Sequence, residues 1–75
     1  MKNYTNVLDL RNYTCPDSIF FLRKKFRNMK KKEIILLLSY DPSIKRDIPI
    51  FCNFMNHKII EIYTEKEPYK YILQK

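Results

Sequence analysis

The apolar residues of this chain recur at two spacings, which predict two kinds of element. Ile19, Leu22, Phe26 and Met29 follow one another at intervals of three and four residues, as on one face of an amphipathic helix. Residues 33–39 are too few and too continuously apolar for a surface helix, which predicts a strand buried on both faces. We therefore expect a helix over residues 15–29, followed by a buried strand.

The other segments complete the predicted order of elements. Residues 5–9 predict a short strand, parallel to the one at 33–39, and residues 43–56 predict a second helix with Asp47 as N-cap and Pro49 in its first turn. Its expected buried face consists of Ile48, Phe51, Cys52 and Met55. Residues 58–64 and 69–74 predict an antiparallel hairpin. The order β-α-β-α-β-β, within one domain of residues 1–75, indicates a two-layer α/β (α+β) sandwich in which two helices cover one face of a sheet.

Composition excludes several classes of protein. The chain has no glycine, which the Walker phosphate loop and the dinucleotide-binding fingerprint both need where backbone approaches a phosphate. The longest apolar run, residues 34–38, is far below the roughly 20 residues of a membrane span, and the N-terminus has no apolar signal segment. We expect a cytoplasmic protein without a membrane partner.

The excess of basic residues has two explanations that the sequence leaves open. With 15 Lys and Arg against 8 Asp and Glu, the formal net charge is +7, as in proteins that neutralise nucleic-acid phosphates. The abundance of Lys, Ile, Asn, Tyr and Phe is equally expected from the codons of an AT-rich genome. Charge alone therefore does not establish a nucleic-acid partner.

The two cysteines are expected in opposite environments. Cys52 lies on the predicted buried face of the second helix, where a thiol packs as a small apolar group with a raised pKa. Cys15 lies at the predicted N-cap of the first helix, where unpaired amides and the helix dipole stabilise a thiolate. Pro16 favours a helix start at this point, and Arg11 adds a nearby positive charge. Cys15 is therefore the candidate nucleophile, with an ordinary capping residue as the alternative.

The residues around Cys15 carry a family resemblance. Residues 9–18 read DLRNYTCPDS, which resembles the D-x-R-G-x-x-C-P-x-P motif of the TusA (SirA-like) family of sulfur carriers. Residues 23–29, 41–57 and 68–71, which read RKKFRNM, DPSIKRDIPIFCNFMNH and PYKY, follow the same family pattern. The resemblance thus spans nearly the whole chain, from residue 8 to residue 75.

This resemblance implies a mixed four-stranded sheet and a role in sulfur transfer. In the family, the cysteine of the Cys-Pro pair carries a persulfide, and that role falls on Cys15 here. The resemblance further implies a cysteine desulfurase as sulfur donor and downstream relay proteins as acceptors, toward 2-thiolation of the wobble uridine in certain transfer RNAs. Each transfer is an attack of one thiolate on a persulfide sulfur, so no metal and no organic cofactor is expected.

Four positions depart from the family pattern. Asn12, Lys32 and Ile50 stand where the family commonly has glycine, and Ser18 replaces the second proline of the motif. Asn tolerates the left-handed conformation, whereas Lys32 and Ile50 are expected to lower stability if their backbone requires positive φ. Ser18 is expected to lie in the first turn of the helix and to hydrogen-bond there.

Exposed positions on the two helices form the candidate partner surface. At about 100° per residue, Phe20, Lys24 and Arg27 point away from the buried face of the first helix, and Phe54 lies about a third of a turn from that of the second. The expected docking residues for the relay proteins are Phe20, Arg23, Arg27, Asp41 and Phe54. Packing of Phe20 or Phe54 against the neighbouring helix is the alternative.

The remaining residues indicate no second chemistry. His57, at the predicted end of the second helix, is expected to bind terminal carbonyls rather than to transfer protons. The cysteines and the single histidine do not match a zinc spacing, and no set of residues suggests hydrolysis. Tyr63, Tyr69 and Tyr71 could stack bases but are more often ordinary sheet residues. We expect a monomer without stable nucleic-acid binding; the alternative function is a small basic RNA- or protein-binding regulatory module without thiol chemistry.

Overall fold

Six elements of secondary structure follow one another in the order that the sequence predicts. The structure is a computed structural model, and it describes residues 4–14 and 17–75. The elements are β1 Asn6–Asp9, α1 Asp17–Asn28, β2 Ile34–Ser39, α2 Ile44–Met55, β3 Lys58–Tyr63 and β4 Tyr69–Gln74. Neither of these two helices has the length and apolar character that crossing a membrane requires. The α+β class and the order β-α-β-α-β-β are thus confirmed.

The four strands form one mixed sheet in the order β1-β2-β4-β3. β1 and β2 are parallel, as expected for strands joined through a helix, and β3 and β4 form the expected antiparallel hairpin. β4 also pairs with β2, so the last strand of the chain lies inside the sheet. Val7, Leu36, Ile72 and Glu61 consequently form one row across all four strands.

Both helices run in the same direction across the sheet. Because β4 is antiparallel to β2 and to β3, strands β1, β2 and β3 all point the same way. We call the end of the sheet at which these three strands finish the carboxyl end, and the opposite one the amino end. Each helix leaves a strand at the carboxyl end and leads to the start of a parallel strand, so α1 and α2 both begin at the carboxyl end.

One face of the sheet carries the core, and the other is more open to solvent. Ile35 and Leu37 of β2 lie opposite Leu73 and Tyr71 of β4, and all four side chains are fully buried. The helices contribute further buried residues to the same cluster: Leu22, Phe26, Ile44, Ile48, Phe51 and Cys52. On the other face Val7 remains exposed. The two-layer arrangement with one more exposed sheet face is thus confirmed.

The predicted apolar face of α1 is confirmed. Leu22 and Phe26 are buried, Met29 is buried directly after the helix, and Ile19 is partly buried against the core. Each fully buried side chain of this size contributes roughly 1.5–3 kcal/mol relative to exposure. This face therefore holds α1 on the sheet.

The start of α2 differs from the prediction. Ser43, and not Asp47, is the N-cap residue, and Asp47 lies inside the first turn. Asp41 organises this start, because its Oδ1 accepts hydrogen bonds from the Ser43 backbone N–H (3.0 Å) and hydroxyl (2.9 Å). The acidic residue that begins the helix is thus the one directly after β2.

Pro49 lies in the interior of α2 and not in its first turn. A proline there cannot bond to the carbonyl of Lys45, and an interior proline costs a helix roughly 3 kcal/mol. Lys45 and Pro49 are both exposed residues, so the interruption lies on the outer side of α2. The Arg46 N–H also bonds three residues back, to the Ser43 carbonyl at 3.2 Å, which is a 3₁₀-type start.

The buried face of α2 is shorter than predicted. Ile48, Phe51 and Cys52 are buried, whereas Met55 in the last turn is 38% exposed. Directly after it, Asn56 adopts a left-handed conformation with φ 60°, and backbone N–H groups fold back onto the last turn in a Schellman-type ending. The chain turns toward β3 at this point, and Met55 is left at the margin of the core.

Lys32 has the left-handed conformation that usually requires glycine, with φ 74°. Its N–H donates to the Lys75 carbonyl (3.1 Å), and its carbonyl accepts from Gln74 Nε2 (3.0 Å), so β4 holds this turn in place. Ile50 lies within α2, and φ is not positive at Ile50 or at Asn12. Of the three positions that lack the family's glycine, Lys32 is the one under strain.

Replacing Lys32 by glycine should stabilise the protein. The left-handed conformation costs a non-glycine residue about 1–2 kcal/mol, and glycine removes this cost. Glycine also gives the unfolded chain more conformational freedom, which lowers the stability by about 0.5–1 kcal/mol. Lys32→Gly should therefore raise the free energy of unfolding by about 0.5–1 kcal/mol in urea titrations. Lys31→Gly removes the same charge at a position without positive φ and should lower it. Equal losses in the two variants would contradict this account.

Candidate functional site

The carboxyl end of the sheet collects the segments that the sequence singles out for function. β1 and β2 end here, and both helices begin here. Cys15 and Pro16, the two central residues of the prediction, lie outside the described residues. The chain on either side of them is described: α1 begins at Asp17, and the Ser18 N–H donates to the Thr14 carbonyl at 3.1 Å. The start of α1 is thus tied to the turn that follows β1.

Arg11 is bound to Asp9 by a two-pronged ion pair. Arg11 Nε donates to Asp9 Oδ1 at 2.8 Å and Nη2 donates to Oδ2 at 2.7 Å, while the Arg11 backbone N–H donates to Oδ1 at 3.1 Å. The side-chain and then the backbone hydrogen bonds from Arg11 lower the pKa of Asp9 to about 2, and the carboxylate raises the pKa of the guanidinium. Because both side chains are nearly half exposed, the pair orders the turn more than it stabilises the fold.

An aromatic contact joins the same turn to α1. The Tyr13 ring packs on Phe21 with centroids 4.8 Å apart and planes tilted by 58°. The Tyr13 N–H also donates to the carbonyl of Leu10 (3.1 Å), whose side chain is buried in the core. Sequence reasoning missed this contact, because no periodicity relates residues of two different elements.

Asp41 occupies the equivalent position after β2. Its backbone N–H donates to Ser39 Oγ at 3.0 Å, and its half-buried carboxylate accepts both hydrogen bonds from Ser43. Asp41 therefore orders the start of α2 at the same end of the sheet at which Arg11 orders the approach to α1.

Two buried hydroxyl groups have no hydrogen-bond partner in the described structure, Ser18 Oγ and Tyr71 Oη. The prediction that the Ser18 hydroxyl forms a hydrogen bond is therefore wrong, since this side chain packs into the interior. Burial raises the pKa of Tyr71 to about 12, with smaller contributions from Tyr69 and Asp41. Tyr71 is thus a neutral phenol throughout the physiological pH range.

An apolar groove lies between the outer surfaces of α1 and α2, and we call it the outer groove. It has a volume of about 470 Å³ and is lined by Ile19, Phe20, Arg23, Asp47, Ile50, Phe51 and Phe54. Phe20 is 63% exposed and Phe54 is 84% exposed, so neither ring is buried against the neighbouring helix. The exposed positions predicted for Phe20 and Phe54 are confirmed, and both share the outer groove with Arg23.

The other two expected docking residues lie outside the outer groove. Arg27 borders an adjacent cavity of about 200 Å³, whose lining includes Arg23, His57 and Lys75. Asp41 lies at the carboxyl end of the sheet, before α2. Arg23 lines both the groove and the cavity, so the two are continuous at this side chain.

Cys52 is a core residue, as the sequence predicts. Its side chain is 1% exposed, and burial raises the pKa of its thiol to about 11. The thiolate is the form that attacks sulfur, and at neutral pH Cys52 is both protonated and covered. This thiol is therefore unsuited to nucleophilic chemistry.

His57 has a structural role, but not through the contact that the sequence suggested. Its ring stacks on Phe26 with centroids 4.0 Å apart and planes at 15°, while its backbone N–H donates to the Cys52 carbonyl at 2.8 Å. Burial, and then the charge of Lys75, lower the pKa of His57. The backbone thus binds the terminal carbonyl, and the ring packs on the core.

The described residues form neither a metal site nor a base-stacking surface on the last hairpin. Over residues 4–14 and 17–75, no three His, Cys, Asp or Glu side chains come together as metal ligands would. Tyr71 is buried, and Lys45 Nζ lies 4.2 Å from the centre of the Tyr69 ring. Tyr63 is exposed and lies opposite Lys70, the residue before Tyr71. Successive residues of a strand point to opposite faces, so Tyr63 and Tyr71 lie on different faces of the sheet. The three tyrosines therefore share no common exposed surface.

Because His57 is the single histidine, NMR can follow its titration directly. Its pKa in the folded protein should lie below the ordinary 6.5. The unfolded chain then takes up the proton first, so the free energy of unfolding should decrease as the pH falls below about 6.5. His57→Phe keeps the aromatic stack without the titration and should show a weaker pH dependence between about pH 7.5 and 5. A folded-state titration above that of the denatured chain would refute the stacking account.

Comparison with known proteins agrees with this architecture. The family model described as Sulfurtransferase TusA matches residues 6–75. The chain is also 50% identical over 70 residues to the Sulfur carrier protein TusA of Buchnera aphidicola subsp. Baizongia pistaciae (strain Bp), a match that covers 93% of this chain and 89% of that relative. The match to the family model includes every strand and helix described above. The chain therefore belongs to the TusA family of sulfur carriers.

Proposed function

We propose that Cys15 carries the transferred sulfur as a persulfide. The observation that supports this most directly is the state of the other thiol: Cys52 is 1% exposed, with a pKa of about 11. With two cysteines in the chain, a carrier of this sequence has Cys15 as its remaining sulfur nucleophile. Cys15 and Pro16 directly precede Asp17, the first described residue of α1, and amides at a helix N-terminus favour an anion. A thiolate at this point would be reactive at neutral pH.

Each transfer exchanges one sulfur–sulfur bond for another. The Cys15 thiolate attacks the terminal sulfur of a persulfide on a cysteine desulfurase; the donor's S–S bond breaks, its cysteine leaves as a thiolate, and a persulfide forms on Cys15. A downstream relay protein removes the terminal sulfur by the same attack, which regenerates the Cys15 thiolate. The sulfur keeps its oxidation state throughout, so neither step consumes an oxidant or a reductant. We propose the wobble uridine of transfer RNA as the final acceptor, through 2-thiolation in the cytoplasm.

We further propose that donor and acceptor dock on the outer groove and the residues beside it. Phe20, Ile50 and Phe54 expose large apolar side chains on one surface, an arrangement that marks interaction sites on monomeric proteins. Arginine beside exposed aromatic residues is enriched in protein interfaces, and Arg23 lies in the groove with Arg27 one turn further along α1. Asp41 would complete the surface at the carboxyl end. Such a patch suits partners that bind transiently and in turn.

Sulfur loading on Cys15 can be measured by intact-protein mass spectrometry after incubation with a cysteine desulfurase and cysteine. Wild type should gain the mass of one sulfur atom, and a reducing agent should remove it because a persulfide is reducible. Cys15→Ser should gain none. Cys52→Ala keeps the Cys15 thiol and should load as wild type does.

The same experiment distinguishes the alternative function. Loading that is lost in Cys52→Ala and retained in Cys15→Ser would show that Cys52 carries the sulfur, and would contradict the proposal for Cys15. No loading of wild type under conditions in which the desulfurase itself becomes persulfidated would favour a basic binding module without thiol chemistry.

Docking on the outer groove can be tested by truncating its most exposed ring. Phe54→Ala should weaken binding to the desulfurase at least tenfold, since a buried phenylalanine contributes roughly 1.5–3 kcal/mol at an interface. Tyr63→Ala is the matched control, because Tyr63 is also an exposed aromatic residue but lies on the β3 strand. Arg27→Glu should likewise slow sulfur loading, with Lys70→Glu as its control. Equal effects of Phe54→Ala and Tyr63→Ala would contradict a docking role for the groove.

A further inference from the structure

Basic and acidic side chains are divided unequally between the two ends of the sheet. Within the described part of the chain, the amino end has one acidic residue, Glu33. The basic residues at this end form a surface that we call the basic end, which consists of Arg27, Lys30, Lys31, Lys32, Lys58 and Lys75. The carboxyl end has more acidic than basic residues, the acidic ones being Asp9, Asp17, Asp41, Asp47, Glu65 and Glu67. Codon bias would scatter lysines over the whole surface, so this asymmetry indicates a functional basic surface.

The fold brings the residues of the basic end together from separate parts of the chain. The Lys32 N–H donates to the Lys75 carbonyl at 3.1 Å, and the Lys75 N–H donates to the Glu33 carbonyl at 3.0 Å. Lys58 lies opposite Gln74 in register, and neighbouring strands are about 4.8 Å apart. The loop after α1, the end of β4 and the start of β3 therefore present their lysines within roughly 10–15 Å of one another.

The cavity beside Arg27 adjoins the basic end. Arg23, Arg27 and Lys75 contribute positive charge to its lining. Arg23 and Arg27 are four residues apart on α1, so the two side chains project from the same helix face. The His57 ring, stacked on buried Phe26, forms an aromatic part of the wall. The cavity thus extends the positive surface toward the outer groove.

We propose that the basic end binds the phosphate backbone of RNA. Clustered lysines and arginines neutralise phosphates without reading the base sequence. Five of the six residues are lysines, which protein interfaces disfavour relative to arginine and aromatic residues, so an acidic protein suits this surface less well. Tyr4 is 45% exposed at the same end, where the N–H of Thr5 donates to the Ile34 carbonyl (2.9 Å), and its ring is available to stack on a base.

Such binding is weak and strongly dependent on salt. Backbone contacts alone give dissociation constants on the order of 10⁻⁴–10⁻⁶ M at physiological salt. For a single strand, the logarithm of the binding constant falls with the logarithm of salt concentration with a slope of about −0.7 per phosphate contacted. Four to six contacts, about one per basic side chain, predict a slope of roughly −3 to −4. Contact of this kind is transient, in keeping with an adaptor that moves between partners.

The test is fluorescence anisotropy with a labelled 12-nucleotide oligouridine RNA, titrated with the full-length protein between about 20 and 200 mM KCl. Lys31→Glu combined with Lys58→Glu should weaken binding at least tenfold at the lowest salt and reduce the slope by about 1.4. Arg46→Glu combined with Lys66→Glu changes the net charge by the same amount at the carboxyl end and should weaken binding less than threefold. Circular dichroism of both variants controls for folding.

Several outcomes would overturn the proposal. Equal losses in the two double variants would mean attraction by net charge without a site, and no binding by wild type at the lowest salt would mean no RNA contact. Tighter binding of a polyglutamate peptide or of anionic phosphatidylserine vesicles than of the RNA, lost in the Lys31 and Lys58 variant, would assign the surface to an acidic protein or to a membrane. Both double variants should still load sulfur on Cys15, so failure here leaves the carrier function untouched.

Discussion

The insertion of β4 between β2 and β3 is the constraint on which the rest of the structure depends. β4 hydrogen-bonds to both neighbours, and its Tyr71 and Leu73 complete the core against Leu37 and Ile35. β3 then lies parallel to β2, so the β1-α1-β2 and β2-α2-β3 connections advance in the same direction along the sheet. Right-handed crossovers in one direction place both helices on one face. One strand-pairing choice thereby determines the layer arrangement.

The same pairing gives the two ends of the sheet different chemistry. Both helices begin at the carboxyl end, so the positive ends of two helix dipoles lie at that end of the sheet. Both helices end at the amino end, where the lysines after α1 compensate the negative end of the helix dipole. β4 adds Lys75 to these lysines by pairing with β2. Parallel helices on one sheet thus give one end that holds both helix N-termini and another end that is rich in lysine.

Local ordering at the carboxyl end depends on short polar contacts more than on burial. Asp9 binds Arg11 through three hydrogen bonds, and Asp41 binds Ser43 through two. Each pair links a strand end to the chain that leads into a helix. The two carboxylates therefore act as clamps on the turns, which gives a physical reason for the D-x-R spacing ahead of the Cys-Pro pair. Tyr13 on Phe21 adds an apolar contact to the first of these turns.

The sequence by itself determined the elements, the buried stripe of α1, the buried environment of Cys52 and the family motif, because periodicity, proline and short motifs act over a few residues. Cooperative contacts between distant segments decided the rest. The N-cap of α2 is Ser43 and not Asp47, because the Asp41 carboxylate accepts a hydrogen bond from the Ser43 N–H. Met55 is exposed because the chain turns toward β3 at Asn56. The His57 ring stacks on Phe26, a residue of α1 that is distant in the sequence. The position of β4, the outer groove and the basic end likewise needed the tertiary structure, since strand order and cross-element packing leave no periodic trace in a single chain.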